Sequence, residues 1–376
     1  MKKKNVLFIW HAAVLKDYQA FPENLAGADY RLYLVVPDRF HEAGRLVSAY
    51  TASPVMATIS LPVRRGSHLF RFSYRGISSI IYRIKPDLMH IFEEPWSMAA
   101  FRACIWAKIL SPRTKIIFHT FENIYMRHSL LHRLAEKFVF KTSVCAIACS
   151  EEIKKVLIAK KYKKPVEVIY PGVNEKIYIR LPEKEIAQKR RKLGLLAPVI
   201  GYAGRLTEEK GLPELLTAFT GIPGSASLLI AGSGPMEKPI IEKIPALGRR
   251  KKIFLTGNLS PEELPAWYSL MDILVLPSRT TAVWKEQFGR VLAEAMLMEV
   301  NVIGSDSGEI PLVIGNTGLI FKERNSDSLL AALCELTNRP RYACRLKIAA
   351  RARALSHFTW TICAGKTIDL YDKITS

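Results

Sequence analysis

The residues best suited to chemistry lie in the stretch VLPSRTTAVWKEQFGRVLAEAM. Glu286 and Glu294 are eight positions apart, with Gly289 between them, and the apolar pattern predicts that a helix begins at Arg290 or Val291. One carboxylate then lies in a loop and the other on the helix. A carboxylate accepts two hydroxyl hydrogen bonds, which suits the vicinal diols of sugars, and the N–H groups at a helix start suit a phosphate. The spacing therefore predicts a site for both ends of a sugar nucleotide, although either Glu alone is also typical of a solvated helix residue.

Two glycine-containing turns earlier in the chain add phosphate-binding chemistry. The stretch PVIGYAGRLTEEKG reads as a strand followed by a turn at Gly204, with Arg205 and Lys210 placing positive charge beside the backbone N–H groups. The stretch LLIAGSGP repeats the pattern with Gly232 and Gly234. A plain tight turn with solvated cations is the alternative interpretation of either turn, but two such turns at strand ends of one sheet indicate a ligand crevice.

The elements that must position these residues alternate along the whole chain. Short β-branched apolar runs, separated by longer helical stretches, predict parallel sheets built from βαβ units. The runs are NVLFIW, RLYLVVP, DLMHIF, KIIFHT, VCAIACS, VEVIYPG, PVIGYAG, SLLIAGSG, KIFLTGN, DILVLPS, NVIGSD and GLIF. A polar stretch interrupts the pattern, so we expect two α/β domains, residues 1–175 and 193–355, joined by a linker over 176–192.

Composition excludes a disordered chain and points to an anionic partner. Of 376 residues, 49% are hydrophobic and 24% charged, which is ordinary globular usage. The 55 Lys and Arg against 34 Asp and Glu leave a net charge of +21, and residues 1–180 carry 29 against 14, or +15. Nucleic acid, an acidic membrane face and phosphorylated substrates are all compatible with this excess. No recognised nucleic-acid module accompanies it, so a nucleic-acid partner is not expected.

One basic segment is a candidate for membrane contact. The stretch LPVRRGSHLFRFSYRG interleaves aromatic side chains with four arginines, Arg64, Arg65, Arg71 and Arg75. Aromatic and basic side chains together are typical of an interfacial segment on anionic lipid, and a solvated surface loop is the alternative. No apolar run approaches 18 residues, so no membrane span is predicted. The six cysteines form no C-x-x-C pair and are expected to be reduced, mostly buried thiols.

The ordered set of motifs resembles a known family. GRLTEEKG, AGSGP, TGNLSPEEL, DILVLPS, KEQFGRVLAEAM and GSDSGEIP, in this order and spacing, are similar to the retaining glycosyltransferases of family 4. The motifs cover residues 195–335, and the alternation of strands and helices in two halves extends the likeness to the whole length. It implies the α/β GT-B fold, in which two Rossmann-like β/α/β domains face each other across a cleft. It also implies that the C-terminal helix, residues 356–376, returns to the first domain.

The resemblance also implies roles for individual residues of the second domain. Arg205 and Lys210 would hold the donor diphosphate, with Gly204 and Gly232 in the phosphate turns. Glu294 would bind the ribose hydroxyls and Glu286 the transferred sugar. The backbone of Phe288, Gly289 and Arg290 would lie beside the sugar and phosphate, and that of Asn258 and Leu259 beside the base.

The first domain follows the family less closely. Members often have a glycine-rich loop after the first strand, whereas this chain has IWHAAVLKDY, so His11 would face the cleft. His119 stands where many members carry a His near the reacting sugar. Glu94 and Asn123, or the neighbouring Glu122, would line the acceptor side.

The reaction implied is transfer of a sugar from a nucleoside diphosphate donor to a hydroxyl of a glycan or lipid-linked acceptor, with retention at the anomeric carbon. No cofactor or metal is expected, since Arg205, Lys210 and helix N-termini would offset the diphosphate charge. A UDP-sugar is favoured over a GDP-sugar. We expect a cytoplasmic enzyme of cell-envelope or exopolysaccharide synthesis, peripheral at the inner membrane face.

Two other classes of function remain open at this point. A sugar-nucleotide 2-epimerase of the same fold would share the phosphate turns, but it would have no use for a basic first domain. A basic nucleic-acid-binding protein would explain the charge and leave the Glu-x7-Glu pattern unexplained.

Overall fold

A computed structural model describes residues 3–27, 29–42, 45–64, 71–247 and 250–375. The chain forms two compact units, one made of Met1–Gly172 with Trp360–Ser376 and the other of Val173–Thr359. Each contains one parallel sheet with helices packed on it. All twelve predicted strands are present, which confirms the expectation of parallel α/β architecture.

The first unit has a seven-stranded sheet, ordered β11-β10-β9-β8-β1-β2-β5. Its elements are β1 (Lys4–Ile9), α1 (Lys16–Leu25), β2 (Tyr30–Pro37), β3 (Arg39–Glu42), β4 (Arg45–Ser48), β5 (Ala57–Leu61), β6 (Val63–Arg64), β7 (Ser73–Tyr74), α2 (Ile77–Ile84), β8 (Leu88–Ile91), α3 (Met98–Leu110), β9 (Lys115–Thr120), α4 (Leu130–Thr142), β10 (Cys145–Ala148), α5 (Glu151–Ala159) and β11 (Val166–Val168). The central strands are buried on both faces, which explains their continuous apolar sequences.

The second unit has a six-stranded sheet, ordered β14-β13-β12-β15-β16-β17. Its elements are α6 (Glu183–Leu193), β12 (Val199–Ala203), α7 (Leu212–Gly221), β13 (Ala226–Ala231), α8 (Glu237–Lys243), β14 (Lys251–Gly257), α9 (Leu264–Tyr268), β15 (Ile273–Leu276), α10 (Arg290–Leu297), β16 (Asn301–Ser305), α11 (Ile310–Ile314), β17 (Leu319–Phe321), α12 (Ser326–Asn338) and α13 (Pro340–His357). Short 3-10 helices lie at Ala12–Val14, Glu208–Lys210 and Ile244–Leu247.

The last helix, α14 (Trp360–Thr375), belongs to the first unit, where it packs against α1. Its Trp360 ring lies 5.2 Å from the ring of Phe21. Its Tyr371 hydroxyl lies 2.7 Å from Nδ1 of His90, a buried residue of β8. This helix thus adds to the same apolar core as the seven-stranded sheet.

The stretch 176–192, expected to be a linker, lies within the second unit, and α6 occupies much of it. Only Ile186 of this helix is buried, and Arg190 forms an ion pair with Asp272 at 2.8 Å. A helix with one buried contact and many Lys and Arg residues has the composition of a solvated linker. The sequence of α6 therefore predicts a solvated linker, although the helix packs on the second unit.

Candidate donor and acceptor sites

In each unit, the candidate residues follow the two neighbouring strands at which the order of strands along the sheet changes direction. In the second unit β12 lies between β13 and β15, and in the first unit β1 lies between β2 and β8. The loops after two strands that diverge in this way leave a crevice at the carboxyl edge of a parallel sheet. Lys210 and Glu286 follow β12 and β15, while His11 and Glu93 follow β1 and β8.

The two glycine turns of the second unit approach each other closely. Gly232 has a φ of +142°, and a Cβ added there would lie 1.9 Å from the carbonyl oxygen of Gly204. Its N–H donates to the carbonyl of Gly257 at 2.8 Å, so the ends of β13 and β14 are also joined. Only glycine permits this approach of backbone to backbone. The turns predicted from sequence as phosphate cradles are therefore adjacent.

Glu286 is held by two donors on one oxygen. The Lys210 ammonium lies 2.7 Å from Oε2 of Glu286, and the Ser278 hydroxyl donates to the same oxygen at 2.7 Å. The Lys210 and Glu286 side chains are only 13% and 11% exposed. The Lys210 ammonium also lies 4.6 Å from the centre of the Trp284 ring, a cation–π contact. The cation expected to meet phosphate and the carboxylate expected to meet sugar are thus in direct contact.

Glu294 lies on α10, which begins at Arg290, the first of the two positions predicted for its start. Gly289, with a φ of +76°, allows the sharp change from loop to helix. The buried Glu294 carboxylate accepts a hydrogen bond from the Tyr268 hydroxyl at 2.7 Å through Oε2. Its Oε1 lies 2.8 Å from Nε of Arg290, one helical turn earlier. The carboxylate is therefore oriented from both sides beside the first turn of α10. Phe288, two residues before this helix, is buried.

Other predicted donor residues are more exposed. The Arg205 side chain is 65% exposed and lies 3.4 Å from Oε1 of Glu209, an ion pair of the surface type that contributes little energy. Arg205 can consequently turn towards an anion at small cost. After β14, Asn258 is exposed and Leu259 is half-buried.

In the first unit His11 is fixed by Glu93. The backbone N–H of His11 donates to Oε1 of Glu93 at 2.8 Å, and its ring Nδ1 lies 2.6 Å from Oε2. The Tyr74 hydroxyl donates to Oε1 at 2.9 Å, and Glu93 is buried. Where family members often have a glycine-rich loop, this chain therefore has an anchored histidine. The sequence analysis named His11 and Glu94, whereas the partner of His11 is the preceding carboxylate, Glu93.

His119, at the end of β9, is neutral and enclosed by aromatic rings. Its ring centre lies 3.8 Å from that of Phe92 and 5.5 Å from that of Phe121. Burial, with a smaller contribution from His90, holds the pKa of His119 well below its usual value. Neither ring nitrogen has a hydrogen-bond partner within the described part of the chain. A neutral imidazole with both nitrogens uncommitted is available to bind a ligand hydroxyl.

Glu94 accepts hydrogen bonds from the Thr120 hydroxyl at 2.6 Å and the Phe121 N–H at 2.8 Å. Burial raises its pKa to about 7, although these two hydrogen bonds oppose the rise. Asn123, the other predicted acceptor residue, is buried a few residues further on. The carboxyl of Glu94 therefore changes charge near neutral pH.

Glu122 takes part in a charged cluster rather than standing alone. The Lys160 ammonium lies 2.6 Å from Oε2 of Glu122 and 2.7 Å from Oε1 of Glu136. Burial opposes ionisation of Glu122, but hydrogen bonds from His128 and Lys160 outweigh it and lower the pKa. Glu122, His128 and Glu136 have the spacing of a metal-ligand group, and the Lys160 ammonium contacts both of these carboxylates.

The candidate membrane segment is only partly on the surface. Arg64, Arg71 and Arg75 are exposed, whereas Arg65 lies outside the described residues. The expectation that the aromatic residues of this segment meet lipid is wrong for Phe72 and Tyr74, because both are buried. Phe72 packs against the rings of His11 and Phe40, and Tyr74 donates to Glu93. Phe70 also lies outside the described residues.

Within the described ranges, no helix combines the length and the apolar character needed to cross a bilayer.

Two family models match the chain in succession. The model described as Glycosyltransferase Family 4 matches residues 22–176, and that described as Glycosyl transferases group 1 matches residues 183–353. The chain belongs to glycosyltransferase family 4. Curated relatives of this family 4 member are 27–29% identical over parts of their length. One is the GDP-mannose-dependent alpha-(1-6)-phosphatidylinositol monomannoside mannosyltransferase of Mycolicibacterium smegmatis, 28% identical over 54% of this chain and 56% of the relative.

A second relative is the D-inositol 3-phosphate glycosyltransferase of Corynebacterium efficiens, 29% identical over 56% of this chain and 51% of the relative. The chain spans about half the length of the curated relatives it matches. Solved structures share the fold over nearly the whole chain. Sucrose-phosphate synthase of Thermosynechococcus elongatus has a TM-score of 0.73 at 20% identity, covering 99% of each chain. Alr3699/HepE of Anabaena, in complex with UDP, has 0.76 at 16%, covering 98% of this chain and 100% of the other.

Several residues of the glycosyltransferase that contact the predicted ones were not singled out from the sequence. Ser278 and Trp284 lie in the same motif as Glu286. A polar and an aromatic residue so close to a loop carboxylate could have been predicted to contact it. Tyr268 lies 26 residues before Glu294, in a different helix, and no local pattern links them. Gly308 packs closely against the backbone of Glu286, since a Cβ at Gly308 would lie 2.1 Å from the Glu286 carbonyl oxygen.

Proposed function

We propose that this glycosyltransferase transfers a sugar from a nucleoside diphosphate donor to a hydroxyl of a glycan or lipid-linked acceptor, with retention and without a metal ion. The observation that carries the proposal is the pair of anchored carboxylates in the second unit. Glu286 is held by Lys210 and Ser278 in a loop, and Glu294 by Tyr268 and Arg290 on the following helix. Two hydroxyl-binding carboxylates beside cations and a helix N-terminus suit a sugar nucleotide.

The donor diphosphate is proposed to bind where Lys210, Arg205 and the glycine turns meet. Lys210 is presented by a 3-10 helix directly after β12, and Arg205 is free to rotate from the surface. The adjacent turns at Gly204 and Gly232 bring two loops to the same sheet edge, where the N–H groups of both glycines donate to strand-end carbonyls. Lys210, with Arg205 turning in from the surface, would stabilise the charge that develops on the departing phosphate, which supports catalysis without a metal.

The chemical step is proposed to be attack on the same face as the leaving group. The bond between the anomeric carbon and the donor phosphate oxygen breaks, and the acceptor oxygen forms the new bond. The acceptor proton passes to the departing phosphate. On this proposal the protein orients the reactants and stabilises charge, while neutral His119 donates a hydrogen bond to a sugar hydroxyl or accepts one.

A UDP-sugar is the first donor to test. GDP-mannose is the competing donor, because the mycobacterial relatives are named as GDP-mannose-dependent. The proposed setting is cell-envelope or exopolysaccharide synthesis at the inner face of the membrane. The net charge of +15 on residues 1–180 supports contact with an anionic surface.

Thermal shift with UDP, GDP, ADP and their common sugar conjugates tests the donor site. A ligand at 100 times its dissociation constant stabilises a protein by about 2.7 kcal/mol. We expect one nucleotide family to raise the melting temperature of the parent and to have little effect on Glu294→Ala. Glu335→Ala is the matched control, since Glu335 forms an exposed pair with Arg339 at the same i,i+4 spacing.

Three outcomes would contradict the proposal. The first is an equal shift in Glu294→Ala and the parent, which would remove the donor role of Glu294. The second is the absence of a shift with every nucleotide sugar, combined with a salt-sensitive shift on single-stranded DNA or RNA. The third is interconversion of a UDP-sugar with its 2-epimer in the absence of an acceptor.

A further inference from the structure

The first unit contains a basic cavity that the proposed transfer reaction does not use. The cavity measures about 520 Å³ and is lined by Arg64, Arg71, Ser73, Met98, Arg102, Ser129, Leu131 and His132. A neighbouring cavity of about 460 Å³ shares Arg64, Ser73 and Arg102 and adds Arg75. We call the first of these the arginine cavity. Arg64 ends β6, Arg71 lies just before β7, and Arg102 comes from α3, about 30 residues later in the chain.

The arginine cavity has a strong unbalanced charge. Among the residues that the structure describes, no Asp or Glu lines it, and Arg64, Arg71 and Arg102 form no ion pair with a carboxylate. Guanidinium groups gathered without a counter-ion repel one another, so an anion entering the cavity would relieve that repulsion. Guanidinium groups also match the oxygens of a phosphate in pairs. The cavity therefore suits a phosphate ester.

Donors other than arginine line the same cavity. Ser129 precedes α4, and its side chain makes no capping hydrogen bond to that helix. The helix N-terminus at the cavity consequently retains N–H groups for an anion. His132 is held through Nδ1, which lies 2.9 Å from the carbonyl oxygen of Trp96. The Ser129 hydroxyl and the N–H groups of this helix start add hydrogen-bond donors beside the three guanidinium groups, while the Nδ1–H of His132 is used by the Trp96 carbonyl.

The rim of the cavity is apolar and exposed. Leu131 lines the cavity, and Leu130, Leu131 and Leu134 are 65%, 59% and 55% exposed. Leu134 lies four positions after Leu130 and three after Leu131, so it adjoins both on the first turns of α4. We call these three residues the leucine face. Exposed Arg127, Arg133 and Lys137 lie along the same segment. An outward apolar face with basic residues around it is typical of a helix that lies in a membrane interface.

We propose that the arginine cavity binds the phosphate of an anionic phospholipid headgroup and that the leucine face enters the same leaflet. A nucleic acid would meet the cations but would gain nothing from the three leucines. A phospholipid surface satisfies both features at once, since phosphate and hydrocarbon are adjacent there. This inference deepens the proposed function, because it names the partner surface of an enzyme whose acceptor is proposed to be lipid-linked. The residues proposed to enter the membrane are therefore the leucines of α4, and not the aromatic residues of the segment before α2.

Co-sedimentation of the full chain with vesicles tests the proposal. Vesicles of phosphatidylcholine alone are compared with vesicles containing one third phosphatidylglycerol. We expect binding to the anionic vesicles only. Each basic side chain near such a surface contributes about fivefold, so the triple variant Arg64→Gln, Arg71→Gln, Arg102→Gln should weaken partitioning on the order of 100-fold.

A control variant separates this cavity from net charge. Arg31, Arg83 and Arg113 are exposed residues of the same unit that do not line the arginine cavity, and their replacement by Gln removes the same charge. We expect this control to lose much less binding. Leu130→Ser with Leu134→Ser should weaken partitioning at least tenfold, whereas Ile109→Ser with Ile158→Ser, also exposed, should not.

Equal binding by the cavity variant and the parent would overturn the proposal, as would equal losses in the cavity and control variants. Binding of glycerol 3-phosphate to the parent, without binding to any vesicle, would assign the cavity to a soluble phosphate ester instead. The donor thermal shift is measured on every variant. A retained shift with lost vesicle binding supports the docking surface, and an absent shift in the parent is a failure of the proposed transfer reaction alone.

Discussion

The ammonium of Lys210 and the carboxylate of Glu286 lie 2.7 Å apart, although 76 residues separate them in the chain. They follow β12 and β15, the two neighbouring strands at which the second sheet changes direction. His11 and Glu93 occupy the equivalent place after β1 and β8 in the first sheet, with Nδ1 and Oε2 2.6 Å apart. A lysine–carboxylate contact therefore joins the two crevice loops of the second unit, and a histidine–carboxylate contact joins those of the first unit.

Replacing Lys210 tests whether this contact serves donor binding. Lys210→Met should lower kcat/KM by about 10²- to 10³-fold, because it removes a preorganised positive group and leaves the little-exposed Glu286 carboxylate with one donor fewer. Lys210→Arg should recover part of the loss. Lys238→Met is the control, since Lys238 is highly exposed in the same unit. Steady-state kinetics with the identified donor provides the measurement, and wild-type kcat/KM in Lys210→Met would refute the assignment.

Tyr268 provides a finer test of the Glu294 site. Tyr268→Phe removes the hydroxyl that donates to Oε2 of Glu294 while Arg290 still lies against Oε1. We expect donor affinity to fall about three- to tenfold, less than in Glu294→Gln, since orientation is loosened and the carboxylate is kept. Isothermal titration with the nucleoside diphosphate measures both. A larger loss in Tyr268→Phe than in Glu294→Gln would contradict the role of the carboxylate.

His119 allows function to be separated from stability. His119→Phe keeps the aromatic contacts with Phe92 and Phe121 and removes two buried nitrogens that have no partner within the described residues. We expect an unchanged or higher melting temperature and at least a 100-fold lower kcat.

The neighbouring His90 is the control for this prediction. Its Nδ1 lies 2.7 Å from the Tyr371 hydroxyl, so His90→Phe should lower the melting temperature and leave the kcat of the folded enzyme near that of the parent. If His119→Phe retained full activity, His119 would be a core residue only.

Glu94 should make the stability of the enzyme depend on pH. Its pKa is raised from 4.5 to about 7, so between these values the folded chain keeps a proton that the unfolded chain has released. The stabilisation is fully present below pH 4.5 and is lost as the pH rises through 7. Between pH 5 and pH 8 the parent should lose roughly 2–3 kcal/mol more than Glu94→Gln, which is neutral throughout. Melting curves at both pH values measure this difference, and identical pH dependence of the two proteins would disprove it.

The glycine turns can be tested by adding one methyl group. Gly232→Ala would place a Cβ 1.9 Å from the Gly204 carbonyl oxygen, so the two turns must separate. We expect a loss of about 2–4 kcal/mol together with weaker donor binding. Gly224 has a φ of +74° and nothing within 4 Å of the added atom, so Gly224→Ala should cost about 1–2 kcal/mol and leave donor binding unchanged. Equal effects of the two changes would show that the close approach is unimportant.

Periodicity and local composition were sufficient to predict the twelve strands, the parallel sheets and a start of α10 at Arg290 or Val291, of which the structure has Arg290. These features are local, since buried parallel strands need continuous apolar runs and a helix start needs a glycine and the right spacing. The same reasoning missed β5, whose half-buried residues lie at the sheet edge. It also took α6 for a linker, because one buried Ile186 does not stand out among charged residues.

The partners of the functional side chains were decided only by the tertiary structure. The sequence identified Lys210, Glu286, His11 and Glu294 as candidates, but strand order determined that Lys210 meets Glu286 and that His11 meets Glu93. Packing likewise placed Phe72 in the core, while leaving the leucines of α4 outside. Spacing along a chain fixes which residues share an element. Contacts between elements depend on strand order and on which face is covered, and these follow from burying the whole apolar surface at once.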